Sequence, residues 1–128
     1  MVFGTFDIFH EGHNNFLRQA KKYGDKLIVV IAKDKTVFKI KGRLAKNNEK
    51  KRLLIIKQSK LADRVILGNL KNKYQVILKN KPEVICLGYD QINFTKNLKK
   101  ILAEMGLKKI KIKRLKPYKP AIYKSSKL

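Results

Sequence analysis

The unbroken apolar run Leu27-Ile28-Val29-Val30-Ile31-Ala32 constrains this chain more than any other segment. It does not alternate with polar residues, so an extended chain here must be covered on both sides, as in a central strand of a parallel sheet. Arg64-Val65-Ile66-Leu67 and Val84-Ile85-Cys86-Leu87 repeat the theme. Between these runs the pattern switches to helical spacing. Gly12 to Tyr23 carries Phe16, Leu17, Ala20 and Tyr23 on one face and is stopped by Gly24-Asp25. Asn47 or Asn48 can cap a helix reaching about Leu61, with Leu53, Leu54 and Ile56 among its apolar positions. Lys71 to Asn80 reads as a short amphipathic helix, and Thr95 to Met105 as another that Gly106 ends. Thr36 to Lys46 is basic and weakly patterned, and reads as a loop or frayed helix. Met1 to Gly4 is a short opening strand, and Ile110 to Leu115 an edge strand defended by lysines.

Strand–helix alternation over one domain, residues 1–128, predicts an α/β, Rossmann-like fold. The expected sheet is open and parallel, with about five strands and helices on both faces. The first strand is only a few residues long before Gly4, and the chain stops two residues after Ser126, so truncation at both ends is an open reading. No apolar run reaches the ~18 residues of a membrane span, and the N-terminus lacks the pattern of a signal peptide. The single cysteine, Cys86, excludes a disulfide framework and reads as a buried strand residue, which fits a cytoplasmic location. Small size and edge strands are compatible with a homodimer.

Charge widens the choice of partners without making it. The net charge is +23, from 32 basic and 9 acidic residues, and such a field attracts polyanions. Only five of the basic residues are arginines, and the lysines are spread along the whole chain. A nucleic-acid-binding module is therefore the competing class. It lacks an aromatic RNA-binding strand motif, finger spacing and an arginine tract.

In open parallel sheets, ligands bind beyond the carboxyl ends of the strands. The first such loop is Gly4-Thr5-Phe6-Asp7-Ile8-Phe9-His10-Glu11-Gly12-His13, and it holds both histidines of the chain. They fall where a strand gives way to a helix, whose N-terminus favours phosphate. Gly4 supplies the turn out of the strand, and Gly12 lets the backbone approach a phosphate without a side chain in the way. His10 and His13, about one helical turn apart, can donate to the same phosphate oxygens. A zinc site would need further ligands at metal-binding spacing, and none is present, so no protein metal ligand is expected.

Gly4-Thr5-Phe6-Asp7 followed by His10-x-Gly12-His13 resembles the signature of the cytidylyltransferase-like nucleotidyltransferase superfamily. The similarity is to its small single-domain branch, which contains glycerol-3-phosphate cytidylyltransferase and the archaeal-type FAD synthase. It continues through Asp34, Lys41-Gly42-Arg43, Glu49-Lys50-Lys51-Arg52, Ala62-Asp63-Arg64-Val65 and Leu87-Gly88-Tyr89-Asp90-Gln91, and ends at Tyr123-Lys124-Ser125-Ser126-Lys127.

The resemblance implies transfer of a nucleoside monophosphate from a triphosphate to a phosphorylated small molecule, releasing pyrophosphate. It gives His10, His13 and Lys41 catalytic roles, with Gly4, Thr5, Phe6, Asp7 and Gly12 lining the nucleotide site. Gly88, Tyr89 and Asp90 would border the nucleoside, and Ser125 and Ser126 would hold the β- and γ-phosphates. Lys51 and Arg52 would neutralise acceptor or leaving-group phosphates, and Mg2+ would accompany the triphosphate. The segment 87–91 and the tail are more similar to the FAD synthase branch, so ATP and FMN are the expected substrates. CTP with glycerol-3-phosphate or a related phosphoalcohol is the alternative.

Overall fold

The computed structural model describes residues 1–68, 74–88 and 97–116. Among the described residues five short strands and five helices follow in the order β1 (Val2–Gly4), α1 (Glu11–Lys21), β2 (Ile28–Ile31), α2 (Asp34–Lys41), α3 (Glu49–Gln58), β3 (Arg64–Leu67), α4 (Gln75–Asn80), β4 (Val84–Leu87), α5 (Leu98–Glu104) and β5 (Lys111–Arg114). The expected strand–helix alternation is present among the described residues, with α2 as a further helix between β2 and α3.

The strands form two parallel ladders, β1-β2-β3 and β4-β5. The ladders meet along β1 and β4, where the Met1 main-chain nitrogen donates to the Val84 carbonyl at 2.8 Å and the Cys86 N–H donates to the Met1 carbonyl at 3.0 Å. That one-in, one-out pattern is the slanted bonding of parallel strands. Taken across the seam, the order is β3-β2-β1-β4-β5, the doubly wound arrangement, whose direction reverses between β1 and β4.

The central run is buried on both sides because neighbouring residues in it belong to different cores. Val29 and Ile31 pack with Val2, Val65 and Cys86 beneath Leu17, Ala20 and Ile56, which come from α1 and α3. Val30 packs with Met1, Ile85 and Leu87 against Ile77, Leu98 and Leu102, from α4 and α5. Helices thus cover both faces, and Cys86 is a core residue at 1% exposure.

Two local readings change. The segment expected to be a loop or frayed helix, Thr36 to Lys46, overlaps α2, which starts earlier at Asp34 and buries only Val37. It is held at its ends instead: Glu49 Oε1 accepts the Asp34 N–H at 2.8 Å, and Gly42 closes the helix in the left-handed region at φ 72°. Its apolar spacing was too irregular to read as amphipathic because burial is not what holds it. In α3 the side chain at 54 faces solvent, and the buried positions are Arg52 and Ile56. The Asn48 side chain caps that helix by accepting the Lys51 N–H at 2.8 Å.

Candidate active site

The loop leaving β1 opens beside the β1–β4 seam, where the winding of the sheet reverses. Its first constraint is Phe6, a non-glycine residue in the left-handed region at φ 52°. A bulky side chain there costs on the order of 1–3 kcal/mol and persists only where its surroundings over-determine it. The ring is buried and folds back over Gly4. A Cβ at Gly4 would lie 2.6 Å from Phe6 Cε2, so only glycine lets the ring close over the strand end.

The Phe6 ring meets His13 edge-on, with centroids 5.2 Å apart, and Phe16 lies 6.3 Å away. Phe9 stacks on His13 at 5.9 Å. His10 and His13 stack on each other with centroids 3.9 Å apart and planes 25° apart. The two imidazoles the sequence placed in one loop are thus in direct contact, packed among three phenylalanines.

His10 is also the N-cap of α1, with Nδ1 accepting the Gly12 N–H at 3.0 Å. An acceptor at Nδ1 leaves the proton of the neutral ring on Nε2, so this cap fixes the tautomer. His13 is pushed down to about 4, first by burial, then by the neighbouring His10, with a hydrogen bond to the Ile8 main chain opposing and Lys41 adding to the depression. Burial also lowers His10. Both rings are therefore neutral near pH 7. Lys41, the last residue of α2, is exposed, and its positive charge adds to the lowering at His13.

This shift has a stability consequence. Unfolded, the ring binds a proton below about 6.5; folded, only below about 4. Between those values the unfolded chain holds more protons, so stability rises with pH across the window and is lost as pH falls. The difference amounts to up to about 3 kcal/mol, and His10 acts in the same direction. Urea unfolding at pH 7 and at pH 4.5 will show a steeper loss in the wild type than in His13→Phe; equal losses would contradict it.

Other residues of the loop hold its neighbours. The Asp7 carboxylate accepts the Lys46 and Asn47 N–H groups, each at 2.8 Å, and Asn47 Nδ2 donates to the Asp7 carbonyl at 2.6 Å. Asp7 therefore ties the loop to the segment entering α3, although the motif suggested a nucleotide contact. Arg52 needs a clearer correction. It has no exposed surface, and its guanidinium donates to the Thr5 carbonyl at 2.9 Å, the Asn47 carbonyl at 3.0 Å and Asp34 Oδ1 at 2.8 Å. A side chain committed and enclosed in this way cannot bind an acceptor phosphate without leaving its site. Lys51, by contrast, is exposed in the first turn of α3.

Gly88 ends β4 at the same carboxyl edge, and Arg114 Nη1 donates to its carbonyl at 2.7 Å. Arg114, Asn47 and Glu49 were not singled out from the sequence as site residues. Only an i,i+4 reading of α3 could have marked position 52 as buried, and nothing local marks Arg114. Tyr89, Asp90, Ser125 and Ser126 lie outside the described residues. Among the described residues no three His, Cys, Asp or Glu side chains cluster as a metal site, and the Asp7 carboxylate already serves two amides. The side chains on view therefore do not form a magnesium cage.

Comparison with known proteins agrees with this geometry. A family model described as cytidylyltransferase-like matches residues 1–128. A protein of Aciduliprofundum boonei (strain DSM 19572 / T469) named FAD synthase is 39% identical over 118 residues, covering 92% of this chain and 78% of the relative. A crystal structure described as the lipopolysaccharide core biosynthesis protein from Thermoplasma volcanium GSS1 superposes with a TM-score of 0.86 at 37% identity, covering 92% of this chain and 95% of that one. The chain belongs to the cytidylyltransferase-like family and is a nucleotidyltransferase.

Proposed function

We propose that this chain transfers the adenylyl group of ATP to the phosphate of FMN, forming FAD and releasing pyrophosphate. The stacked His10–His13 pair at the start of α1 carries the reading, and the similarity to a protein named FAD synthase supports FMN as the acceptor.

An FMN phosphate oxygen attacks the α-phosphorus of ATP in line. The new P–O bond forms as the bond to the β-phosphate oxygen breaks, and pyrophosphate leaves with the electron pair. Both phosphates are ionised, so the step needs positioning and charge stabilisation rather than a protein nucleophile. The α1 N-terminus and the Gly12 backbone favour the anion. Capping through Nδ1 puts the His10 proton on Nε2, and that N–H is the group proposed to turn to an α-phosphate oxygen. His13 contributes through its second nitrogen once the triphosphate charge favours its protonated form. Lys41 and Lys51 neutralise leaving-group and acceptor phosphates. Gly88, Tyr89 and Asp90 border the nucleoside, and Ser125 and Ser126 hold the β- and γ-phosphates. Magnesium would arrive on the triphosphate and shield its charge. No helix among the described residues is long and apolar enough to cross a membrane, and a cytoplasmic enzyme, alone or as a homodimer, fits this chemistry.

Pyrophosphate release tests the assignment, with ATP or CTP offered against FMN and glycerol-3-phosphate. Release is expected with ATP and FMN together. Release confined to CTP with the phosphoalcohol would replace the substrates, and RNA retention without any turnover would remove the enzyme reading.

A further inference from the structure

Arg52 is a cation without exposed surface, and its bonds converge on the chain around Phe6. Through the Thr5 carbonyl it fixes the peptide plane entering Phe6. Through the Asn47 carbonyl it fixes the residue whose N–H and side-chain amide hold Asp7, on the other side of Phe6. Through Asp34 it anchors the first turn of α2, the helix that ends at Lys41. The Asp34 N–H is in turn held by Glu49, from the same helix as Arg52.

The left-handed turn at Phe6 is thus clamped before and after by one guanidinium, directly and by way of Asn47. The Phe6 ring lies against His13, and His13 against His10. We propose that Arg52 is a positioning residue for nucleotidyl transfer: it holds Phe6 in the left-handed conformation that aligns the two imidazoles, and at the same time anchors the start of α2, the helix that ends at Lys41. A planar fork with several fixed donors is required, because three acceptors on three different segments are bonded at once. Lysine retains the charge and cannot span them.

The proposal rests on the adenylyl-transfer reading only for its kinetic test. In the full chain, Arg52→Lys should lower kcat by ~10²-fold, the usual consequence of misplacing reacting groups by about 1 Å, while KM for ATP stays within about threefold. Without substrate, the NMR titration of the His13 ring should move up from about 4 toward its ordinary 6.5 as the packing around it loosens. Circular dichroism checks that the variant is folded. If Arg52→Lys does not fold, Asp34→Ala carries the test, since Asp34 is partly exposed and holds one arm of the clamp; it should give a ~10-fold fall in kcat and the same direction of His13 shift.

A folded variant with wild-type kcat, or with an unmoved His13 titration, would overturn the proposal. If FMN is the wrong acceptor, the wild type itself will not turn over, and the substrate-free titration still decides the role of Arg52.

Discussion

Phenylalanine or alanine at position 13 is expected to lower turnover with ATP and FMN by ~10² to 10³-fold, as loss of a preorganised donor at a reacting phosphate does. The pair of variants separates chemistry from packing. His13 touches Phe6, Phe9 and His10, and aromatic pairs contribute about 0.5–1.5 kcal/mol each beyond burial. His13→Phe keeps a ring in the stack and should stay close to wild-type stability at pH 7, whereas His13→Ala should unfold earlier; both should be equally inactive. At position 10, asparagine can replace the helix cap that Nδ1 provides but not the ring donor. His10→Asn should therefore remain stable and lose turnover, while His10→Ala also loses about 1 kcal/mol of stability. An active His10→Asn would reduce His10 to a cap.

Gly4→Ala is expected to have the other large effect, although it adds one methyl group outside the reacting residues. That methyl would lie 2.6 Å, 2.9 Å and 3.1 Å from three atoms of the Phe6 ring. The ring is buried against His13 and Phe16 and cannot swing aside without displacing them. Overpacking of this kind costs about 1–3 kcal/mol, and the displaced imidazole should lower turnover by ~10²-fold. Adding Phe6→Leu to Gly4→Ala should recover part of the stability in urea unfolding and little of the turnover. Gly4→Ala with wild-type stability and rate would contradict the packing described here.

What could be read in advance followed from short-range pattern. The apolar runs at 27–32, 64–67 and 84–87 announced buried parallel strands, and the turn before α1 announced a loop that holds His10 and His13 together, because such signals are local. The covering of Val29 and Val30 by helices on opposite faces followed from the same logic. What could not be read arose from contacts between distant segments. Position 52 looked like a phosphate ligand because the resemblance implied it; its spacing of four from Ile56 places it on the buried face of α3. Asp7 looked like a ligand contact because it belongs to the motif, yet its partners are Lys46 and Asn47, about forty residues away. The left-handed turn at Phe6 has no sequence signature, since aromatic residues seldom adopt it. α2 escaped because its ends are fixed by Glu49 and Gly42 rather than by an apolar stripe.

The most direct test is an NMR titration of the two histidine rings with a non-hydrolysable ATP analogue. A triphosphate seated at the start of α1 should shift both ring resonances at one saturating concentration, and its negative charge should raise the His13 midpoint well above about 4. Analogue that binds with equal affinity while both rings keep their resonances and midpoints would place the nucleotide elsewhere and contradict the account.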